Sequence, residues 1–511
     1  MCGAMGMDDD GRTTPGMNTP PTLPIADAPQ PPAPPPEERV PRLRPLGRRK
    51  VSQTGKWWGP LFSLFVVLIW AASFVIGFER ALTVIEVVGL LTLVIGLVNP
   101  RIGMVGLTML CVIDGPARVY LLTGGLLRWN TLSYWLLFVM LLYLPFLIRL
   151  RDRHSVLLAA LIGLLIVDLS ITNNLLEGLQ HILNILITFG LLIYFARAGT
   201  DKRMWFWIST IAGLVGALGG LSWFFQRLHL PAINENAWAM FPCAALFAIC
   251  LGFPSAVAMK RGQATLLSLA VVNLMWIFLS GSRGTLLIGA CCVIVLLLTM
   301  RGLRQRTVAL VSGALIMIVA AAHFSQMQER ATFRLFKLFT TDEPLSGNYS
   351  LSSRTSGRSD LAIGGFYIFE AHPMGVGTGS FKLAWKNLDR HDNMGDYARG
   401  ELRAAHSGWV KVLAENGVLG ILLLAAWVGS FAYGALRTRK RVLRRLGLLT
   451  ALALAAALLS TEFQSKGLWY LAAGATVFLE RDSVESAMFI RRRVPNSRLM
   501  PRRAVARGAS V

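Results

Sequence analysis

Three short motifs place arginine or histidine beside serine and glycine, and these residue types can act on an anionic substrate. The first is Ser280-Gly281-Ser282-Arg283-Gly284, which lies between two apolar segments. Glycine and serine beside Arg283 would expose backbone N–H donors next to its guanidinium, so this motif predicts an anion clamp. The alternative is an arginine whose charged head reaches the membrane interface.

The second motif ends in Arg358 and is followed by an apolar segment, 361–369, that predicts a helix. Ser356 as the N-cap would place Arg358 in the first turn, where backbone donors and the helix dipole favour an anion. If the helix begins earlier, Arg354 shares a face with Arg358 at i, i+4 spacing. Solvated charge is the alternative interpretation.

The third motif places His406 directly before a long apolar segment, with Ser407 as the predicted helix cap. A neutral imidazole at the membrane surface can take a proton from an acceptor hydroxyl. Glu415, about two turns further on, could orient His406 or pair locally with Lys411 at i, i+4. A histidine that is merely interfacial remains the alternative.

A glycine-rich segment, 371–381, lies between the second and third motifs and contains Gly375, Gly377 and Gly379. No strand of a βαβ unit precedes it and no Lys-Ser/Thr pair follows, so a nucleotide-binding loop is a poor interpretation. The segment predicts a tight turn that exposes backbone groups, and Gly377 is predicted to contact the substrate.

The elements that position these motifs must cross a membrane. The 511 residues are 54% hydrophobic and only 15% charged, with a mean hydropathy of +0.53, which excludes an ordinary soluble enzyme. Apolar runs of about 17–22 residues recur, and each can cross roughly 30 Å of hydrocarbon. We predict an all-α integral membrane protein with about 12–14 transmembrane helices. The predicted spans are 60–78, 81–98, 103–123, 131–149, 155–172, 178–196, 204–224, 237–254, 263–280, 285–300, 307–322, 412–434, 446–461 and 467–480. Span 103–123 contains Asp114 and Arg118 and could be re-entrant instead.

Lys and Arg collect in alternate loops, which is typical of the cytoplasmic side. The turn 280–284 and a long loop, 323–407, are then predicted on the outer face. The net charge of +23 needs no nucleic acid partner, because basic loops and tails are attracted to anionic lipid. The long loop contains no cysteine, which excludes a disulfide scaffold there.

Five regions follow from composition and span placement. They are a disordered, Pro-rich and basic cytoplasmic tail, 1–56; an N-terminal transmembrane bundle, 57–322; the large periplasmic loop, 323–407; C-terminal transmembrane helices, 408–480; and a basic cytoplasmic tail, 481–511. The N-terminus lacks the features of a signal peptide, so the first span is predicted to act as the targeting signal.

The order and spacing of the motifs resemble the O-antigen ligase and polymerase family of bacterial cell-envelope glycosyltransferases. The resemblance covers about 260–435 and rests on Ser-Arg-Gly at 282–284, Ser-Gly-Arg at 356–358, Pro-Met-Gly-Val-Gly at 373–377 and Ala-His-Ser at 405–407, followed by Glu415-Asn416-Gly417. The sequence departs from the family pattern at Ser407, where an asparagine is common, at Ala362, where a tryptophan is common, and in its larger number of spans.

The resemblance implies the C-type membrane glycosyltransferase architecture and a glycan donor linked to polyprenyl diphosphate. Arg283 and Arg358 would hold the diphosphate without a metal or other cofactor, helped by Ser282 and Arg354, and His406 would activate the acceptor hydroxyl. Trp409 and Glu415 are included in the predicted substrate-binding set. Further sugar contacts are predicted for Trp385, Asn387 and Tyr397. The enzyme would lie in the bacterial inner membrane with its active site facing the periplasm.

Three functions remain open from the sequence. A ligase would transfer the glycan to a lipid A core sugar, whereas a repeat-unit polymerase of O-antigen or exopolysaccharide would transfer it to another glycan. A transporter of lipid-linked glycans would also need outer arginines. The sequence disfavours the transporter, because it shows no internal repeat and little charge inside its spans.

Overall fold

The computed structural model is mostly helical over the residues that it describes. These are residues 58–121, 131–147, 152–199, 201–226, 235–256, 262–280, 282–299, 358–388, 402–438, 440–460 and 466–493. Within these ranges every regular element is a helix, which confirms the predicted all-α integral membrane protein.

Sixteen α-helices follow one another along the described chain, and one 3₁₀ turn, Asp168–Ile171, extends the sixth. They are α1 (Trp58–Ile76), α2 (Phe78–Ile95), α3 (Pro100–Leu121), α4 (Thr131–Leu142), α5 (Leu144–Leu147), α6 (Arg153–Val167), α7 (Leu175–Ala198), α8 (Lys202–Gln226), α9 (Glu235–Ala256), α10 (Gly262–Leu279), α11 (Arg283–Thr299), α12 (Arg358–Ala371), α13 (Phe381–Lys386), α14 (Gly408–Arg437), α15 (Arg441–Ser460) and α16 (Lys466–Arg493).

Every predicted span that falls within the described residues coincides with helical structure. Eight of the described helices are long and apolar enough to cross a membrane, and 132–142 and 284–294 are shorter apolar helices. The predicted span 307–322 and the N-terminal tail lie outside the described residues.

Three details differ from the predicted pattern. Helix α3 is one continuous helix of 22 residues, about 33 Å long, which disfavours the re-entrant alternative for 103–123. The span 131–149 is interrupted at Tyr143, between α4 and α5. Helix α16 continues to Arg493, into the segment predicted as the C-terminal tail.

Burial separates central helices from peripheral ones. The membrane-length part of α9 is 89% buried, whereas that of α1 is only 22% buried. Because a helix that is apolar on all sides is stable either inside a protein or against lipid, both environments suit these sequences. The central helices fix the positions of the segments discussed next.

Candidate functional site

The turn that leads to Arg283 lies at the end of the bundle where α9 begins. Leu269 of α10 and Ile249 of α9 meet at one level of α8, and Asn273 and Ala245 meet at the next level. Moving forward along α10 therefore moves backward along α9, so these helices are antiparallel. Helix α10 consequently ends, and α11 begins, near the start of α9. We call this end of the bundle the site end.

Helix α16 also begins at the site end. Gly467 packs on Ala244, and Gly474 packs on Leu251, so α16 runs parallel to α9. Residues 461–465 connect α15 to α16, and α15 therefore ends where α16 begins.

The end of α15 in turn fixes the start of α14. Ser407 Oγ donates a hydrogen bond to the Leu458 carbonyl at 3.1 Å, and Trp409 Nε1 donates to the Ala455 carbonyl at 3.0 Å. Ser407 also accepts from the Val410 N–H, which confirms its prediction as the helix cap. The indole N–H of Trp409 thus joins α14 to α15, and its predicted substrate contact stays a prediction.

Helix α12 runs beside the first turns of α14 and in the same direction. Gly365 of α12 packs on Val410, and Gly375, beyond the end of α12, packs on Glu415. Gly365 is the eighth residue of α12 and Val410 is the third of α14, so α12 begins roughly one and a half turns beyond the start of α14. Arg358 is the first residue of α12, and the structure places it toward the start of α14, at the site end.

His406 precedes α14 in an unusual backbone conformation. Its φ is +51°, and it is the only non-glycine residue with positive φ among those the structure describes. The side chain is exposed, while Ala405 and Ser407 on either side are buried. Left-handed backbone costs about 1–2 kcal/mol for a residue with a side chain, and such strain is concentrated at functional sites. The buried neighbours hold His406 at the surface of the site end.

The predicted arginines occupy helix starts. Arg283 is the first residue of α11, and the carbonyl of the buried Ser282 accepts the first helical hydrogen bond, from the Leu286 N–H at 3.0 Å. The side chain of Arg358 is partly buried. Arg354, the predicted cap Ser356, Tyr397 and the side chain of Arg283 lie outside the described residues.

Residues 372–380, which we call the glycine loop, follow α12 and form a tight turn, as predicted. Gly375, Gly377 and Gly379 all have φ between 90° and 94°. A Cβ atom at Gly375 would come 2.2 Å from the Glu415 carbonyl oxygen, and one at Gly379 would come 2.4 Å from the Gly178 nitrogen. Glycine is therefore required, because backbone meets backbone at these positions. Gly377 is buried and donates its N–H to the Glu415 carbonyl at 2.9 Å, so it has a packing role here.

Helix α14 is interrupted at Gly417, where φ is 60° and ψ is −152°. The glycine loop supplies the backbone hydrogen-bond partners that the helix lacks there. In a continuous helix the Val418 N–H would bond to the Ala414 carbonyl. Instead the Val418 N–H donates to the Pro373 carbonyl at 3.1 Å, and the Val376 N–H donates to the Ala414 carbonyl at 3.1 Å. The loop and the broken helix therefore satisfy each other's backbone groups.

Buried side chains tie the glycine loop to the segment that connects α6 and α7. Asn416 Nδ2 donates to Asp168 Oδ2 at 2.6 Å and to Thr378 Oγ1 at 2.8 Å. Thr172 Oγ1 donates to the Thr378 carbonyl at 2.7 Å and is 2.9 Å from Ser380 Oγ. The N-terminal half of the chain thus packs against the glycine loop.

Glu415 lies in a second buried cluster beside the first. Its side chain is fully buried; Oε1 accepts the Phe381 N–H at 3.1 Å and lies 3.9 Å from Lys411 Nζ. Its other oxygen is 3.5 Å from His181 Nδ1. These contacts support the local-pair interpretation of Glu415 and show that it positions the start of α13, while its predicted substrate contact stays a prediction.

Lys411 and Lys382 both contact Glu177, which allows a matched comparison. Lys411 is 5% exposed and lies between Glu177 and Glu415, whereas Lys382 has a side chain that is 36% exposed. We expect Lys411→Met to destabilise the protein by about 3–5 kcal/mol, because it leaves the fully buried Glu415 carboxylate without its lysine, whereas the partly exposed Glu177 keeps Lys382. Lys382→Met should cost at most about 1 kcal/mol.

Thermal unfolding of the detergent-solubilised protein measures this difference. The expected result is a clearly lower unfolding temperature for Lys411→Met than for Lys382→Met at the same pH and salt. Equal unfolding temperatures would show that the buried cluster contributes nothing to stability.

Sequence reasoning missed Asp168, Glu177 and His181 as neighbours of the site. They precede the glycine loop by about two hundred residues, and no local pattern links the two segments. Asn416-Gly417 carried a usable signal, since this dipeptide is typical of a turn and marks the break in α14. Among the described side chains, no group of three or more His, Cys, Asp and Glu could hold a metal ion.

Comparison with protein-family models identifies the segment that contains these features. Residues 268–425 match the model described as O-antigen ligase. This segment of the chain is similar to the O-antigen ligase family. The match begins in α10 and ends in α14, and it contains Arg283, Arg358, the glycine loop and His406. A search of the curated proteins found no match.

The match to the O-antigen ligase model supports a general class for the protein. Members are glycosyltransferase-like enzymes that act on O-antigen, with lipid-linked glycans and membrane lipids as partners. Together with its apolar helices, the match makes this chain a multi-pass membrane protein of bacterial polysaccharide biosynthesis.

Proposed function

We propose that this protein is a ligase that transfers a glycan from polyprenyl diphosphate to a hydroxyl of the lipid A core at the periplasmic face of the inner membrane. The observation that carries the proposal is that three helix starts lie at the same end of the bundle, the site end. Arg283 begins α11, Arg358 begins α12, and His406 directly precedes α14.

The two arginines suit the diphosphate of the donor. Each lies at a helix start, where backbone N–H groups and the helix dipole favour an anion, and guanidinium groups bind phosphate oxygens in pairs. When the bond between the anomeric carbon and phosphate oxygen breaks, the electron pair remains on the diphosphate. Arg283 and Arg358 would stabilise this charge, which grows as the transition state forms.

His406 suits the acceptor. Its exposed imidazole would accept the proton of the acceptor hydroxyl while the hydroxyl oxygen forms the new bond to the anomeric carbon. The proton then resides on the imidazole and the negative charge on the diphosphate, so charge and atoms balance. Direct in-line attack inverts the anomeric carbon.

The distribution of basic residues supports a periplasmic site end. Arg197 at the end of α7, Lys202 at the start of α8, and Arg437 at the end of α14 all lie at the opposite end of the bundle. Arg101, at the start of α3, joins this group and lies 4.0 Å from Asp201. Because cytoplasmic loops are enriched in Lys and Arg, the opposite end is assigned to the cytoplasm.

Arginine variants test the donor site. In a deletion strain complemented at matched membrane levels, we expect Arg283→Ala and Arg358→Ala each to lower the glycan product about 100-fold, since each removes a group that stabilises developing charge. Arg101→Ala, which changes the same residue type at the opposite end, should retain wild-type product. Full product from both site-end variants would exclude this donor site and favour a transporter.

The product from the same strains distinguishes the two enzyme reactions. If strains with inactive variants lack long chains on lipid A but accumulate long chains on the lipid carrier, the ligase is supported. Accumulation of single repeat units would instead identify an O-antigen or exopolysaccharide polymerase with the same donor chemistry. Either result retains the glycosyltransferase, whereas lipid-linked glycan trapped on the cytoplasmic side would support the transporter.

A further inference from the structure

An open cleft of about 670 Å³ lies beside the glycine loop. Its walls are the end of α12, the glycine loop, α13 and the connection between α6 and α7. Its polar lining includes Asn173, Tyr367, Glu370, His372 and Asn387. The volume is in the range of sites that hold small molecules or parts of longer ones.

The lining indicates the class of ligand. The lining combines amide side chains and a tyrosine with apolar groups such as Leu383 and Leu388. This combination suits a sugar, which has hydroxyl groups at its edges and apolar ring faces. None of the described residues that line the cleft is Lys or Arg, so the cleft does not suit a diphosphate. Among the described lining residues Glu370 is the only carboxylate, which favours a neutral or amino sugar over an acidic one.

The position of the cleft indicates which part of a glycan it would hold. Helix α12 has 14 residues and is about 20 Å long. Arg358 begins this helix, whereas Tyr367, Glu370 and the cleft lie toward its end. A ligand in the cleft therefore lies well away from Arg358, by a distance that a chain of several sugars can span.

We propose that this cleft binds a neutral glycan segment several sugars away from the bond that is being formed. The proposal rests on the proposed glycosyltransferase function. The segment could belong to the donor chain or to the acceptor, and both present the same sugar chemistry to the cleft. The polar network around Thr378 and Asn416 holds the glycine loop wall in place.

Filling the cleft tests the proposal. Ala384 lines the cleft on α13, so Ala384→Trp would place an indole in it, whereas Lys386 is exposed on the same short helix outside the lining. The full-length protein in lipid nanodiscs is titrated with two probes released by mild acid from the envelope glycolipids of the source cell. One probe is the long repeat-unit chain and the other is the core oligosaccharide, with binding followed by saturation-transfer NMR.

We expect one of the two probes to bind wild type and Lys386→Trp equally, and to bind Ala384→Trp at least ten times more weakly. The probe that responds identifies the donor chain or the acceptor. Asn387→Ala, at an exposed position, provides a second variant that leaves the fold intact and should weaken binding about fivefold by removing an amide partner.

Equal binding of a probe to wild type, Ala384→Trp and Asn387→Ala would overturn the proposal, as would failure of both probes to bind wild type. Binding of undecaprenyl diphosphate in the same nanodiscs separates this outcome from failure of the proposed function. If that lipid binds wild type and not Arg283→Ala, the donor site stands even when the cleft proposal fails. If the lipid does not bind wild type, the proposed function itself fails.

Discussion

Replacing His406 by alanine is expected to lower glycan transfer about 1000-fold, within the range found when a general base is removed. The protein should still insert and reach wild-type levels, because the side chain is exposed and its removal leaves no cavity. The measurement is the amount of product in a complemented deletion strain, or the transfer rate with purified enzyme. A transporter would tolerate this change.

The backbone at His406 requires a control that separates chemistry from conformation. With φ at +51°, part of any effect could come from altered strain. Asparagine adopts this conformation readily and glycine adopts it without cost, but neither can act as a base. His406→Asn and His406→Gly should therefore be as inactive as His406→Ala. Activity in either variant would show that the position serves only the conformation of the chain before α14.

The pattern of apolar segments was sufficient to predict most of the fold. A span needs about 20 consecutive apolar residues, and this signal lies within the sequence of each segment itself. The bounds of α7, α9 and α10 therefore agree with the predicted spans within a few residues. The helix at 358–371 and the capping role of Ser407 were also predictable from local signals.

The contacts around the glycine loop could not be predicted in the same way. Asp168 and Asn416 meet although 248 positions separate them, and neither segment alone indicates its partner. Glu415 shows the same difference between local and long-range contacts. Its pairing with Lys411 can be predicted from the i, i+4 spacing, whereas its contact with His181 depends on how α7 packs. The predicted roles of Arg283, Arg358 and His406 stay predictions, because side chains at a site show where chemistry can occur and only activity shows that it does.

Gly417→Ala is expected to lower the folded fraction of the protein severely. The φ and ψ of Gly417, 60° and −152°, belong to a region that only glycine occupies without strain, and this strain costs about 1–3 kcal/mol. A Cβ atom would also lie 2.2 Å from the Pro373 carbonyl oxygen, which accepts the Val418 N–H. Moving that carbonyl loses a buried backbone hydrogen bond, worth a further 1–3 kcal/mol or so.

Gly429 provides the matched control, because it lies in the same helix and a Cβ atom there meets nothing within 4 Å. Gly429→Ala should leave stability unchanged or raise it by about 0.5–1 kcal/mol, since alanine favours helix more than glycine does. Membrane levels and the unfolding temperature of the two variants give the comparison. Replacing glycine by alanine is thus expected to lower stability at position 417 and to leave it unchanged or raise it at position 429. If both variants lost stability by a similar amount, the break at Gly417 would not hold the glycine loop in place. Because the glycine loop joins α12 to α14, and the starts of these helices place Arg358 and His406, any Gly417→Ala protein that still folds should also lose glycan transfer, whereas Gly429→Ala should retain it.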